Sequence, residues 1–130
     1  AYHLASSAQN IIASPSATVG NIGTVLSWID DSALMAAMGL SQEVITNEQA
    51  DLKGTFRDSP MTAEQREFLQ EEVNAMGNQF KQHVESNRQV DPEVFRAGWY
   101  SGDRAQSLGL IDAISSYDYA HATILHGLSS

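Results

Sequence analysis

The sequence has no cysteine, only two lysines and no long apolar run. The absence of cysteine excludes disulfides and thiolate metal sites. The 7 basic side chains stand against 16 acidic ones, which gives a formal net charge of −9. Such a balance argues against a nucleic-acid partner, because phosphate-binding surfaces depend on clustered Lys and Arg. No apolar stretch reaches the roughly 18 residues that a membrane-spanning helix needs.

What is present is typical of a folded α/β domain. An apolar content of 42% with 18% charged residues fits a globular chain, and 130 residues fit one domain. The chain begins with AYHLASSAQ, without an initiator methionine, and this stretch has the pattern of the middle of a helix. We therefore expect residues 1–130 to be a piece of a longer polypeptide.

Helical and extended patterns alternate along the chain, which favours an α/β fold with at least partly parallel strands. Thr62 and Gln65 form a capping-box pattern, and the apolar residues that follow recur every three or four positions over about 25 residues. Further helices are predicted at 1–8, 33–38, after Asp91-Pro92, between Ser101 and Gly109, and at 117–128. Strands are predicted at 11–13, after a tight backbone passage at Gly20–Gly23, and at 43–46, 99–100 and 110–111.

Lys53 is the first candidate for chemistry. It lies in the loop-like stretch ADLKGTFRDSP, where Gly54 and Pro60 interrupt any periodicity. A lysine acts as a general base only when its neutral form is populated, which requires burial or nearby positive charge. Arg57 would help, whereas the neighbouring aspartates would oppose this. Residue type alone favours a solvated charge.

The glycine-containing segment VGNIG, which includes Gly20 and Gly23, is the second candidate. Glycine permits a close approach of the backbone to a ligand or a positive φ, so the segment either lines a substrate cleft or forms a tight turn. It lacks the spacing of a phosphate-binding loop.

The histidines and carboxylates give no metal or cofactor site. His121 and His126 are five residues apart, whereas helical zinc pairs are four apart. His83 is expected to be solvated, and no histidine is singled out for a catalytic triad. Paired carboxylates at Glu71-Glu72 and Asp30-Asp31 are expected to form solvated surfaces.

Taken in order, three segments resemble one family, the serine–lysine signal peptide peptidases (protease IV). The stretch YHLASSAQNIIASPSATVGNIG is similar to the region that follows the nucleophile in that family. Lys53 followed by Ser59-Pro60 and Met61-Thr62-Ala63-Glu64 resembles the family's lysine loop and the start of its long helix. GWYSGDRAQSLGLID is similar to the family's closing motif. The resemblance covers residues 1 to about 115.

The resemblance implies a Clp-protease/crotonase-like fold of β-β-α units with a mostly parallel sheet, truncated at its N-terminus. Residues 1–130 would be a single domain, the C-terminal portion of a serine–lysine peptidase domain. Lys53 would be the general base, and the serine would precede Ala1 by two residues, so the piece alone would be inactive. Asn21 stands where the family has a lysine-orienting serine, and the substrate-binding residues would be Gly20, Ile22 and Gly23.

The resemblance also implies hydrophobic, signal-peptide-like substrates in an extended conformation, a homo-oligomer and no cofactor. It implies a bacterial protein, membrane-associated and extracytoplasmic through segments outside these residues, or a cytoplasmic protein if the chain is of the phage type. One alternative is a non-catalytic peptide-binding or oligomeric shell protein of the same fold. An acyl-CoA enzyme of the crotonase type is a further alternative, which the closing motif disfavours.

Overall fold

A computed structural model describes residues 1–50, 52 and 60–127 of the chain. The predicted base, Lys53, lies outside the described residues. The described elements are, in chain order, α1 Tyr2–Ala5, β1 Ile12–Ala13, β2 Thr18–Gly20, α2 Ser32–Ala37, α3 Ala63–Asn87, a 3₁₀ helix Pro92–Arg96, β3 Trp99–Ser101, α4 Gly102–Ser107, β4 Ala113–Ile114 and α5 Tyr117–Gly127. They fall into two compact units, one formed by Ala1–Gly23 with Gly77–Ser130 and the other by Thr24–Met76.

The first unit has a mixed α/β architecture with a small parallel sheet. Strand β1 pairs in parallel with β4, with Ile12 opposite Ala113 and Ala13 opposite Ile114. Strand β2 pairs antiparallel with β3. The predicted α/β class with partly parallel strands is therefore confirmed, and both pairings join the beginning of the chain to its last third.

The hydrophobic core lies in the first unit. Leu110, Val84 and Val94 are fully buried, and each such side chain contributes roughly 1.5–3 kcal/mol relative to an exposed one. The buried apolar set is completed by Tyr2, Ala13, Ile22, Tyr100, Ala105, Leu108 and Ile111. The only buried polar side chain among the described residues is that of Ser6, whose hydroxyl donates to the His3 carbonyl oxygen at 2.9 Å.

The described residues of the second unit form α2, irregular backbone and the first half of α3. None of its described residues is buried. The predicted capping box is confirmed, because the Gln65 amide N–H donates to Thr62 Oγ1 and the Thr62 N–H donates to Gln65 Oε1, both at 3.1 Å. Helix α2 begins at Ser32, one residue before its predicted start at 33, and its end is followed by Gly39 with φ +72°.

Three predicted strands are wrong. The segment after Gly23 is irregular, and the strand instead precedes the glycines as β2. Residues 43–46 form no strand, since Ile45 is exposed and no described segment pairs with it. Leu110 and Ile111 are buried in the core but do not form a strand, and the strand β4 follows them. Short apolar runs indicate burial, but they do not reveal which backbone has a partner.

Candidate functional site

The segment Gly20–Gly23 leaves the β2–β3 ladder through an unusual backbone conformation. Gly20 has φ +134° and the following Asn21 has φ +55°. The Asn21 amide N–H donates to the Gly98 carbonyl oxygen at 2.9 Å, which extends the pairing of Gly20 with Trp99 by one residue. The tight backbone passage that the sequence predicts here is therefore present.

Glycine is required at position 20 by space as well as by conformation. A Cβ atom there would overlap the carbonyl oxygen of Gly98 and lie 3.0 Å from the Tyr100 ring. Asn21 adopts the left-handed conformation that asparagine tolerates better than most residues. The local sequence therefore fixes the direction in which the chain leaves β2.

The predicted site residues of this segment occupy different environments. Ile22 is buried, with 2% of its surface exposed. The side chain of Asn21 and residue Gly23 are exposed. The part of the chain that the structure describes gives the Asn21 amide group no hydrogen-bond partner. Gly20, Asn21 and Gly23 are thus accessible and Ile22 is not, while Lys53 lies outside the described residues.

An open cavity of about 410 Å³ adjoins this segment. It is lined by Thr18, Val19, Gly20, Asn21 and Trp99. Sequence reasoning predicted Trp99 only as an extended residue and missed it as part of a site. The available signal was the pair Trp99-Tyr100, because neighbouring strand residues face opposite sides and both cannot enter one core.

The closing motif, GWYSGDRAQSLGLID, forms hydrogen bonds that hold the elements next to this site. Tyr100 donates from its hydroxyl to the Glu93 carbonyl oxygen at 3.1 Å, and the Arg104 guanidinium contacts the Glu93 carboxylate at 2.6 Å. The Tyr2 hydroxyl donates to the Leu110 carbonyl oxygen at 2.7 Å. Burial raises the pKa of the Tyr2 hydroxyl. These bonds attach β3 and α4 to the 3₁₀ helix, and α1 to the segment that follows α4.

Asp112, the last residue of that motif, holds three segments together. It accepts from the Arg88 guanidinium at 2.7 Å and from the Ile11 amide N–H at 2.7 Å. The bond from Arg88 is the main cause that lowers the pKa of Asp112, and partial burial opposes it. The Arg88 Nε–H also donates to the Gly109 carbonyl oxygen at 3.3 Å. Asp112 is therefore a structural carboxylate.

His83 is engaged in contacts that the sequence did not predict. Its Nε2 lies 2.9 Å from the Ser7 hydroxyl oxygen, and its ring stacks on His3 with centroids 4.1 Å apart. The expectation of a solvated side chain is therefore wrong. Among the described residues, the His83 ring contacts the Ser7 hydroxyl and the His3 imidazole. A catalytic triad would require a carboxylate that orients the histidine in place of the second imidazole. This pair consequently attaches α1 to α3.

The described residues contain no group of three or more His, Cys, Asp or Glu side chains arranged to hold a metal ion. None of the described helices is long and apolar enough to cross a membrane.

Comparison with known proteins reveals similarity to peptidases. The sequence profile described as Peptidase family S49 matches residues 1–128. A protein of Methanocaldococcus jannaschii named "Putative protease" is 28% identical over 125 residues. The match covers 92% of this chain and 40% of that protein, so the chain spans well under half the length of this curated relative.

Proposed function

Because this chain belongs to peptidase family S49, we propose that it is part of a serine peptidase of the signal peptide peptidase (protease IV) type. Residues 1–130 would form the C-terminal portion of one peptidase domain with a Clp-protease/crotonase-like fold. The observation that carries the proposal is the family match over residues 1–128. The small parallel sheet and the bent backbone of Gly20–Gly23 are consistent with it.

The proposed reaction is peptide hydrolysis by a serine nucleophile with Lys53 as general base. The neutral amine of Lys53 would take the proton of the serine hydroxyl as its oxygen attacks the scissile carbonyl carbon. The proton would then pass to the leaving amine, and water activated by the same lysine would hydrolyse the acyl-enzyme. The resemblance assigns the serine to the position two residues before Ala1, so residues 1–130 alone would be inactive.

Asn21 is proposed to orient Lys53 where related peptidases use a serine. Its exposed amide oxygen can accept a hydrogen bond from an ammonium group, and its left-handed backbone fixes the direction of the side chain. Gly20, Ile22 and Gly23 would line the substrate groove. Ile22 has only 2% of its surface exposed, so Gly20 and Gly23 are the accessible members of this set.

The proposed substrates are extended hydrophobic peptides such as cleaved signal peptides. Strand β2 pairs with β3 on one side, and no described segment pairs with its other edge. An extended peptide can add to such an edge through backbone hydrogen bonds. No cofactor is required for this chemistry.

We also propose that the protein assembles into a homo-oligomer. Large apolar side chains of the second unit are exposed, among them Val25 and Ile45 at 88% each. Exposed apolar groups of this kind are typical of surfaces that associate with another chain. Any membrane association would come from segments outside residues 1–130. The protein would be extracytoplasmic if it is cellular and cytoplasmic if it is of the phage type.

The two lysines of the sequence provide a matched test. In the full-length polypeptide, we expect Lys53→Ala to reduce the hydrolysis of a fluorogenic hydrophobic peptide by about 10²–10⁴-fold, because the general base is removed. Lys81→Ala is the control, since Lys81 lies on α3 and pairs with Glu85 at 3.7 Å on the helix surface. We expect it to retain the wild-type rate.

Circular dichroism would verify that both variants fold. Wild-type turnover by Lys53→Ala would exclude Lys53 as the base, and a residue other than serine two positions before Ala1 would exclude the serine mechanism. If the folded wild-type polypeptide binds peptides without cleaving them, the alternative of a non-catalytic peptide-binding or shell protein is supported instead.

A further inference from the structure

Strand β3 directs one large aromatic side chain into the core and the next one into solvent. Tyr100 is 8% exposed and donates to the Glu93 carbonyl oxygen, whereas Trp99 is 75% exposed. Successive strand residues face opposite sides, so a buried Tyr100 requires Trp99 to face outward. The register therefore determines that the outward face of this ladder carries an indole.

A structural role accounts poorly for this tryptophan. Trp99 lies opposite Gly20, and an aromatic ring can protect the exposed backbone of a cross-strand glycine. Such protection would cover much of the ring, but three quarters of Trp99 remains accessible. Its other outward-facing neighbours on the ladder, Thr18 and Ser101, are exposed and polar. The indole thus has an open face.

The open indole borders the cavity beside the predicted substrate segment. This cavity of about 410 Å³ is lined by Thr18, Val19, Gly20 and Asn21, with Trp99 as its aromatic wall. An aromatic wall with a few polar groups around it is typical of a pocket for an apolar ligand group. The exposed amide of Asn21 and the indole N–H provide hydrogen-bonding groups at the rim.

From this geometry we infer that Trp99 is a specificity-determining residue that contacts an apolar side chain of a peptide extended along β2. The inference rests on the proposed function and names a preference of that same site. An aliphatic or aromatic side chain gains contact area on the indole, whereas alanine is too short to cover it. The net charge of −9 disfavours acidic peptides, so the preferred ligand is a neutral or basic peptide with one bulky apolar residue.

The test uses the full-length polypeptide and fluorogenic peptides in which a single Leu is moved along an Ala and Ser background. We expect the wild type to favour one Leu position by about tenfold in KM over the all-Ala peptide. Trp99→Ala should abolish this preference with little change in kcat, and Trp99→Phe should restore most of it. Tyr119→Ala is the matched control, because Tyr119 is 67% exposed on α5, and it should retain the wild-type preference.

A merely structural role would give a different pattern. Trp99→Ala would then reduce kcat for all peptides alike and lower the unfolding temperature. That result, or an unchanged Leu preference in Trp99→Ala, would overturn the inference.

A binding measurement separates this inference from the proposed mechanism. Fluorescence anisotropy of a labelled Leu peptide would be compared between Lys53→Ala and the Lys53→Ala/Trp99→Ala double variant. We expect about tenfold weaker binding when Trp99 is absent. Peptide cleavage by Lys53→Ala would refute the assigned base, yet the Leu preference would still report on Trp99. Equal affinities of the two variants would refute the role of Trp99 alone.

Discussion

The two units of this protein differ in how their apolar residues are used. In the part of the chain that the structure describes, ten apolar side chains are buried, and all ten belong to the first unit. Among the described residues, the second unit has none, although Val25, Ile29 and Ile45 are each at least 66% exposed. Burial of apolar surface is the main source of folding free energy, so among the described residues this contribution comes from the first unit.

The two units also differ in whether their enclosed polar groups have hydrogen-bond partners. In the first unit, the Tyr2 and Ser6 hydroxyls both donate to backbone carbonyl oxygens. In the second unit, Trp28 Nε1 and Asp31 Oδ1 are enclosed without a hydrogen-bond partner among the described residues. An enclosed polar atom without a partner costs free energy. Among the described residues, the enclosed polar atoms of the first unit are thus the better satisfied, and the second unit is the one whose sequence contains Lys53.

The largest effect should come from truncating an apolar side chain in each unit. Leu110→Ala removes a fully buried side chain of the first unit and should lower the free energy of unfolding by about 2–5 kcal/mol. Ile45→Ala removes one that is 88% exposed in the second unit and should change it by about 0.5 kcal/mol or less. Urea denaturation at a fixed protein concentration measures both. Equal losses would contradict the assignment of the core to the first unit.

Two glycines that follow helices offer a comparison of intermediate size. Gly109 in the first unit and Gly39 in the second have φ +80° and +72°, and a Cβ atom costs about 1–2 kcal/mol in that region. A Cβ atom at Gly109 would also overlap the Gln89 carbonyl oxygen, whereas nothing lies within 4 Å of one at Gly39. Gly109→Ala should therefore destabilise by about 1–3 kcal/mol more than Gly39→Ala in thermal unfolding. A larger effect of Gly39→Ala would argue for crowding in the second unit.

The smallest effect concerns two aspartates whose pKa values are lowered in the folded protein. Hydrogen bonds from Arg88 and Ile11 lower the pKa of Asp112, and bonds from Ser32 lower that of Asp30. A carboxyl with a lowered folded pKa stabilises above its ordinary pKa of about 3.9, and this stability is lost as the pH falls toward the folded value. Asp112→Asn should therefore lower the free energy of unfolding by about 1 kcal/mol or less at neutral pH. It should also make this free energy fall less steeply as the pH is lowered.

Asp30→Asn is the control for this pH profile. The partner of Asp30 is only two residues away and its side chain is fully exposed, so the same bonds can form in the unfolded chain. Urea midpoints measured from neutral to acidic pH should therefore be nearly unchanged by Asp30→Asn. If the fall of the urea midpoint toward acidic pH is reduced equally in both variants, the long-range bonds of Asp112 do not stabilise the folded protein.

Local sequence predicted helices better than strands. The capping box of Thr62 and Gln65 and the apolar spacing through Val84 depend on residues three or four positions apart, and α3 is present with its predicted length. Residues 43–46 and 110–111 have strand-like composition, yet a strand exists only when distant backbone pairs with it. For this reason the tight passage at Gly20–Gly23 was predictable, while the strand on its N-terminal side was not.

The sequence by itself determined the family of the chain, its α/β class, its long helix and the glycine segment, because these depend on local residue chemistry. Only the tertiary structure decided that Trp99 faces solvent beside Gly20, that His83 stacks on His3, and that Asp112 joins Ile11 to Arg88. Trp99 and Gly20, His83 and His3, and Asp112 and Ile11 are each about 80 to 100 positions apart, and Arg88 and Asp112 are 24 apart. Strand register and core packing fix these contacts, and no local pattern in the sequence specifies them.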